Sequence, residues 1–220
     1  MILNQFRNTF SRLLFAIVAV PLGDSAVWKE LKFKSLPANK VSYEKSALKI
    51  EVNESASPLI HGFNQIKKIQ QVTATLEITG QMNKIKLKSW TEFEEDSYFR
   101  LGLVAKGKDR PSQFKMLFAP EWVKTLFALA PQGTGLDKIY FYNMTAQDNL
   151  VGKKRSHPQS KYMHEENILS RSTEQQNVNF KIELTQPMEL AGFWISADGD
   201  DSKSKFTVLI KDLSYAESAP

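Results

Sequence analysis

No cysteine occurs in the 220 residues. Its absence excludes disulfides, thiolate nucleophiles and cysteine-ligated zinc or iron–sulfur centres. A secreted eukaryotic domain of this size would usually carry bridges, so an exported chain without them fits a bacterial periplasm or outer surface better. Histidine is scarce too: His61, His157 and His164 are scattered, without helical or strand spacing for a metal, and read as loop residues. There is no Gly-rich phosphate loop and no Ser-centred nucleophile elbow. Charge of one sign does not dominate, with 29 basic against 24 acidic residues and a net charge of +5. Its lysine patches, Lys67-Lys68, Lys84/Lys86/Lys88 and Lys153-Lys154-Arg155, are dispersed. Nucleic-acid binding wants a concentrated stripe on a recognisable motif and is not expected; lysines on strand edges discourage edge-to-edge pairing.

Long apolar runs are also missing. The apolar stretch Leu13–Val20 follows Arg7 and Arg12 and precedes Pro21, Gly23, Ser25 and Ala26. A membrane-spanning helix needs roughly 20 apolar residues. A charged, then apolar, then small-residue order is that of a secretory signal peptide, with cleavage after Ser25 or Ala26. The sequence thus predicts a leader at 1–25, a single domain at 26–216, a loose tail at 217–220, and no stable membrane span once the leader is gone. Losing Arg7, Arg12 and Asp24 with residues 1–25 lowers the net charge from +5 to +4. The expected location is periplasmic or secreted.

What is abundant is period-two alternation. Val72-Thr73-Ala74-Thr75-Leu76-Glu77-Ile78-Thr79 places Val/Ala/Leu/Ile on one face and Thr/Thr/Glu/Thr on the other. Similar alternation runs through Leu48/Ile50/Val52, Ile85/Leu87, Phe99/Leu101/Leu103, Ile139/Phe141, Phe180/Ile182/Leu184, Phe193/Ile195/Ala197 and Phe206/Val208/Ile210. About ten short strands separated by turns predict an all-β fold, an antiparallel two-sheet β-sandwich of jelly-roll type. One segment, 120–129, opens with Pro120 and is closed by Pro131 and Gly133; it predicts a short helix able to plug one end of the sandwich. Residues 146–178 are polar and irregular and read as a long loop.

Four segments resemble a bacterial exported family known as domain-of-unknown-function family 3047. They are Ser55-Ala56-Ser57-Pro58-Leu59, Glu94-Glu95-Asp96-Ser97-Tyr98-Phe99-Arg100-Leu101, Leu136-Asp137-Lys138-Ile139-Tyr140-Phe141-Tyr142, and Leu190 to Asp201. Proline stands at Pro58 where that family has glycine, and Tyr142 at its tryptophan place. The resemblance covers most of the region after the leader and implies a β-sandwich of the export pathway, without bringing an activity. The ending Phe206 to Ser214 also resembles the last strand of carbohydrate-binding jelly rolls.

Candidate site residues follow from the faces of the strands. With Phe99, Leu101 and Leu103 on the core face, Tyr98 and Arg100 share the other one. By the same alternation Tyr140 and Tyr142 lie opposite Ile139 and Phe141, and Trp194, Ser196 and Asp198 opposite Phe193, Ile195 and Ala197. If these strands are neighbours, Tyr98, Arg100, Tyr142, Trp194 and Asp198 form a ligand-binding face on which aromatics stack against sugar rings and charged groups hold hydroxyls. The other reading is an ordinary packed face, with Arg100 paired to Glu77 or to the acidic run 94–96. The acidic turn Asp198-Gly199-Asp200-Asp201 could supply Asp198, Asp200 and Asp201 to calcium, or serve only as a turn. Trp28, Trp90 and Trp122 are expected to pack. The expectation is a non-catalytic module for a glycan or another envelope ligand. The alternatives are a glycan lyase or hydrolase using Glu77 or Asp198, and a structural envelope protein working through partners and an exposed apolar patch.

Overall fold

The computed structural model describes residues 15–83, 96–108, 116–117, 119–158, 160–171 and 177–218. The expected Ile85/Leu87 strand, Trp90, the Lys84–Lys88 patch and Glu94-Glu95 lie outside them. The strands are β1 (Phe15–Ala19), β2 (Lys29–Glu30), β3 (Lys40–Glu44), β4 (Ala47–Asn53), β5 (Ala56–Gln81), β6 (Ser97–Gly107), β7 (Gly135–Thr145), β8 (Lys154–His157), β9 (Ser160–Ser170), β10 (Asn177–Asp198) and β11 (Lys205–Ser218), with one short helix, α1 (Glu121–Leu129). The fold is mostly β, and the expected helix falls where the proline and glycine signals put it.

The strands form one sheet in the order β3-β4-β11-β5-β10-β6-β7-β9-β8, with β1 added to β11 and β2 to β5. This corrects the expectation of two separate antiparallel sheets. β5 and β10 run through both halves of the molecule, paired along Glu77↔Asn177 to Ala56↔Asp198. Register shifts between Glu183 and Met188 and between Leu190 and Gly192 let the paired strands bend without breaking the hydrogen-bonded net. The sheet is also mixed, because β7 and β9 are parallel.

One half carries β3, β4, β11 and the C-terminal part of β5; the other carries β6, β7, β9 and β8. Their inner faces share a core in which Phe99 meets Phe180 at 5.0 Å, Phe63 meets Phe193 at 5.0 Å, and Tyr98 meets Phe206 at 5.1 Å, all edge-on. Edge-to-face rings at this spacing add to the burial of their apolar area. A second, smaller cluster lies on the outer face of the β6–β7 half: Ile60, Val104, Ile139, Phe141 and Trp194 pack with Leu126 and Ala130. Helix α1 therefore roofs an outer face instead of plugging an end.

The stretch expected to be a loop at 146–178 holds β8 and β9. Its strand signal was hidden because the buried row of β9 includes Glu165 and Asn167 beside Met163. Histidines placed in loops are in strands: His164 stacks on Tyr140 at 5.6 Å, His157 ends β8, and His61 in β5 lies 3.1 Å from the Val27 carbonyl through Nδ1. Glu217 and Ser218, given to a tail, are in β11. The segment read as a leader has a place in the sheet: Phe15–Ala19 pairs with Ser214–Ser218, and Val20 and Leu22 lie in the main core.

At the bend the backbones of β5 and β10 approach closely. A Cβ on Gly192 would lie 2.4 Å from the His61 carbonyl oxygen. Gly192→Ala is expected to cost about 1–3 kcal/mol, the usual range for overpacking, measured as a lower urea midpoint; an unchanged midpoint would show that the bend adjusts freely.

Candidate functional site

The outer face of β10, β6 and β7 is set by pairing. Trp194 stands across from Gly102 and Ser196 across from Arg100; Gly102 is in turn across from Phe141, and Arg100 across from Asn143. Beyond β7, Phe141 pairs with Glu165 and Asn143 with Asn167. The sequence rows of Arg100, Trp194, Ser196 and Asp198 therefore meet.

Tyr98 does not join them. Between Ser196↔Arg100 and Asp198↔Ser97, β6 holds one residue more than β10. The resulting bulge shifts the alternation and turns Tyr98 into the core, 2% exposed. There Tyr98 Oη accepts a 2.7 Å hydrogen bond from the Met82 backbone N–H, and the Arg171 guanidinium carbon sits 4.9 Å from the ring centre. Tyr142 is also elsewhere. On β7 the outward row is Ile139 and Phe141, packed under α1, while Tyr140 and Tyr142 pack against the main core. Burial and the nearby Glu166 carboxylate push the Tyr142 hydroxyl up to about 12. The two corrections have different causes: a bulge turns Tyr98, whereas at β7 both faces of the sheet are covered, so an apolar row no longer marks the inner one.

Arg100, Trp194, Ser196 and Asp198 line a cleft of about 320 Å³ together with Phe33, Ser35, Leu36, Asp200 and Asp201. Its polar wall is deeply buried: Arg100 is 7% exposed, Ser196 6% and Asp198 8%. Arg100 is locked from behind. Its Nε donates to Asn143 Oδ1 at 3.1 Å, its guanidinium lies over Phe141 at 5.5 Å, and Nη2 is 3.5 Å from Glu165 Oε1. Glu165 in turn holds Arg155 Nε at 2.5 Å through Oε2. Three other polar atoms of the wall, Trp194 Nε1, Ser196 Oγ and Asp198 Oδ1, have no hydrogen-bond partner.

Asp198 meets Asp96 and Asp200, with one carboxylate oxygen of each lying within 4.8 Å of the others. Burial pushes the Asp198 carboxyl well above the usual carboxylate range; Asp200 and Asp96 add to the rise and Arg100 opposes it. Asp96 replaces Asp201 in the expected acidic trio. Its Oδ2 accepts from the Ser202 N–H at 2.6 Å and its Oδ1 from the Asp201 N–H at 3.3 Å, which ties the start of β6 to the turn after β10.

Other candidates stand apart. Glu77 faces Asn177, the first residue of β10, whereas Asp198 is its last. Glu77 pairs with Lys211 at 2.5 Å, so it forms no catalytic pair with Asp198 and no ion pair with Arg100. Trp28 is in the main core, and Trp122 packs against the second cluster, edge-on to Trp194 at 6.1 Å. The large exposed apolar side chains among the described residues are Phe15, Ile17, Leu117, Val151 and Tyr162; Phe15 and Ile17 are close together on β1. Sequence reasoning missed Asn143 on β7, and Arg155 and Glu165 on β8 and β9, the last two in a stretch that looked like loop.

No family model matches the chain, that of family 3047 included, and no curated protein matches it. Among solved structures the chain is similar to CBM29_1, a family 29 carbohydrate-binding module from Piromyces equi, at 11% identity and a TM-score of 0.35, over 92% of this chain and 90% of that one. At that score no residue of the cleft is carried across.

Proposed function

We propose that this chain is a non-catalytic binding module that takes a hydroxyl-rich ligand, a glycan of the cell envelope, in the cleft of Arg100, Trp194, Ser196 and Asp198. The observation that carries the reading is the set of three buried polar atoms in one wall, Trp194 Nε1, Ser196 Oγ and Asp198 Oδ1, without a hydrogen-bond partner. Leaving a buried donor or acceptor unmade costs about 1–3 kcal/mol each. Sugar hydroxyls both donate and accept, which is what the indole N–H, the serine hydroxyl and the carboxylate lack. Phe33 and Leu36 in the same cleft offer apolar surface to a ring face. Arg100, held by Asn143, Phe141 and Glu165, gives the wall a positive charge fixed before any ligand arrives, which lowers the ordering cost of binding. Export to a bacterial periplasm or beyond belongs to the same reading. It rests on Arg7 and Arg12 ahead of the Leu13–Val20 run, and cell fractionation tests it.

The site test is a glycan-array and titration series on the wild type, Trp194→Phe and Ser196→Ala. Phenylalanine keeps the ring that packs on Phe141 at 5.6 Å and removes only the indole N–H. Each variant is expected to bind the selected glycan about tenfold more weakly, the equivalent of about 1.4 kcal/mol, with the melting temperature nearly kept. Unchanged affinity in both would sink the cleft as the binding site.

A further inference from the structure

We propose that Asp96, Asp198 and Asp200 hold a calcium-sized divalent cation at the end of the cleft, and that this ion presents itself to vicinal hydroxyls of the ligand. Calcium–oxygen distances are about 2.3–2.6 Å, so two oxygens on opposite sides of one ion stand about 5 Å apart at most. The three carboxylates meet this limit, with one oxygen of each inside 4.8 Å of the others. Independently of the clustering, Asp198 is 8% exposed and its Oδ1 has no hydrogen-bond partner. Ser97 is paired across from Asp198, is 1% exposed, and its Oγ likewise has no partner. A buried acceptor without a donor, in the wall of an open cleft, calls for a cation or a proton.

Charge favours the cation. The chain as a whole carries +5, yet Arg100 and Arg155 share Glu165, and Asp96, Asp198 and Asp200 stand together at the end of the cleft. Within this group four acidic residues face two basic ones. The donor atoms at the acidic end are all carboxylate or hydroxyl oxygens, which select a hard cation over transition metals. Asp96 is positioned by the Ser202 and Asp201 N–H groups, and each of its oxygens keeps a second lone pair for the ion. Three carboxylates do not fill the six to eight positions of calcium, so open positions are available to ligand hydroxyls.

The ion site stands by itself; its role in ligand capture rests on the cleft being the glycan site. Calcium is titrated calorimetrically into chelator-stripped full-length protein, and into Asp200→Asn and Asp96→Asn. One site with a dissociation constant of about 10⁻⁴–10⁻³ M, the range of extracellular modules, weakened at least about tenfold in both variants, is the expected result. No heat at millimolar calcium, or equal binding in both variants, overturns the site. Glycan titration is then run with calcium and with chelator. Loss of glycan affinity in chelator supports the bridging role. Equal affinity overturns that role and leaves the cleft in place, whereas calcium binding with no glycan bound in either condition keeps the ion and sinks the glycan reading.

Discussion

Glu165→Ala is expected to lower the stability of the protein by about 3–5 kcal/mol, the range for removing one partner of a buried charge pair. The Glu165 side chain is 0% exposed and those of Arg100 and Arg155 are 8% and 7% exposed. The carboxylate lies between two guanidiniums, 3.5 Å from Arg100 Nη2 and 2.5 Å from Arg155 Nε. Its removal leaves two buried cations facing each other across the space it filled. A domain holds only about 5–15 kcal/mol in total, so the variant should unfold at a much lower urea midpoint with a similar slope. Glu165→Gln separates charge from shape: it keeps the volume and an acceptor and should lose less than alanine. Replacing Arg100, Arg155 and Glu165 together by apolar residues of similar size should recover stability, since buried ion groups of this kind are often matched by hydrophobic packing. That triple variant should still fail to bind ligand, because Arg100 is gone from the cleft wall. If Glu165→Ala unfolds within 1 kcal/mol of the wild type, the network does not organise the site.

The contrast between readable and unreadable parts follows from what each strand touches. β5 and β11 present one apolar and one solvated row, and their alternation identified strand and face together. Arg100, Trp194 and Asp198 lie on the face their alternation gave, because Phe99, Leu101, Phe193 and Ile195 do face the main core. The rule failed in β7, where Ile139 and Phe141 are apolar because α1 covers them, and the inner row is Tyr140 and Tyr142. Nothing local in the sequence distinguishes a residue buried under a helix from one buried between the sheet halves. Tyr98 was misplaced by a single extra residue in β6, and a one-residue slip moves a side chain to the other face. β9 was invisible because part of its buried row is charged, Glu165 against Arg100 and Arg155, and Arg100 comes from a distant part of the chain. The acidic trio was read from one turn, whereas Asp96 enters it from the start of β6, 102 residues before Asp198. Short-range pattern recovers what neighbours in sequence share; the site is assembled from residues whose only relation is strand pairing.

A chain beginning at Ala26, the product of cleavage after Ser25, is expected to be markedly less stable than one beginning at Phe15. Val20 and Leu22 are 5% and 3% exposed, and burying each such side chain is worth about 1.5–3 kcal/mol. The cut also removes β1 from β11, the Val20 N–H to Leu213 carbonyl bond at 2.8 Å, and the Pro21 carbonyl that accepts from Trp28 Nε1 at 3.1 Å. Trp28, 6% exposed, would be left with a buried donor and no acceptor. Gly23 fits its place closely: a Cβ there would lie 2.4 Å from the Glu44 carbonyl oxygen and 2.5 Å from that of Lys45. These contacts give the leader-like segment a second use, because the residues that look removable by composition complete an edge of the sheet and a corner of the core. Exposure in this segment is uneven: Ile17 is 69% exposed and Phe15 38%, while Val20 and Leu22 are buried. The expected outcome is a melting temperature lower by well over 10 °C for the Ala26 chain, as several kcal/mol at about 2–4 °C per kcal/mol implies for a protein of this size. Intact mass of the protein recovered from its native cell provides the complementary readout. A mass that retains residues 15–25 agrees with their packing. A native N-terminus at Ala26 or Val27 on a chain as stable as the longer one would show that β1 and its corner are dispensable, and that the core closes without them.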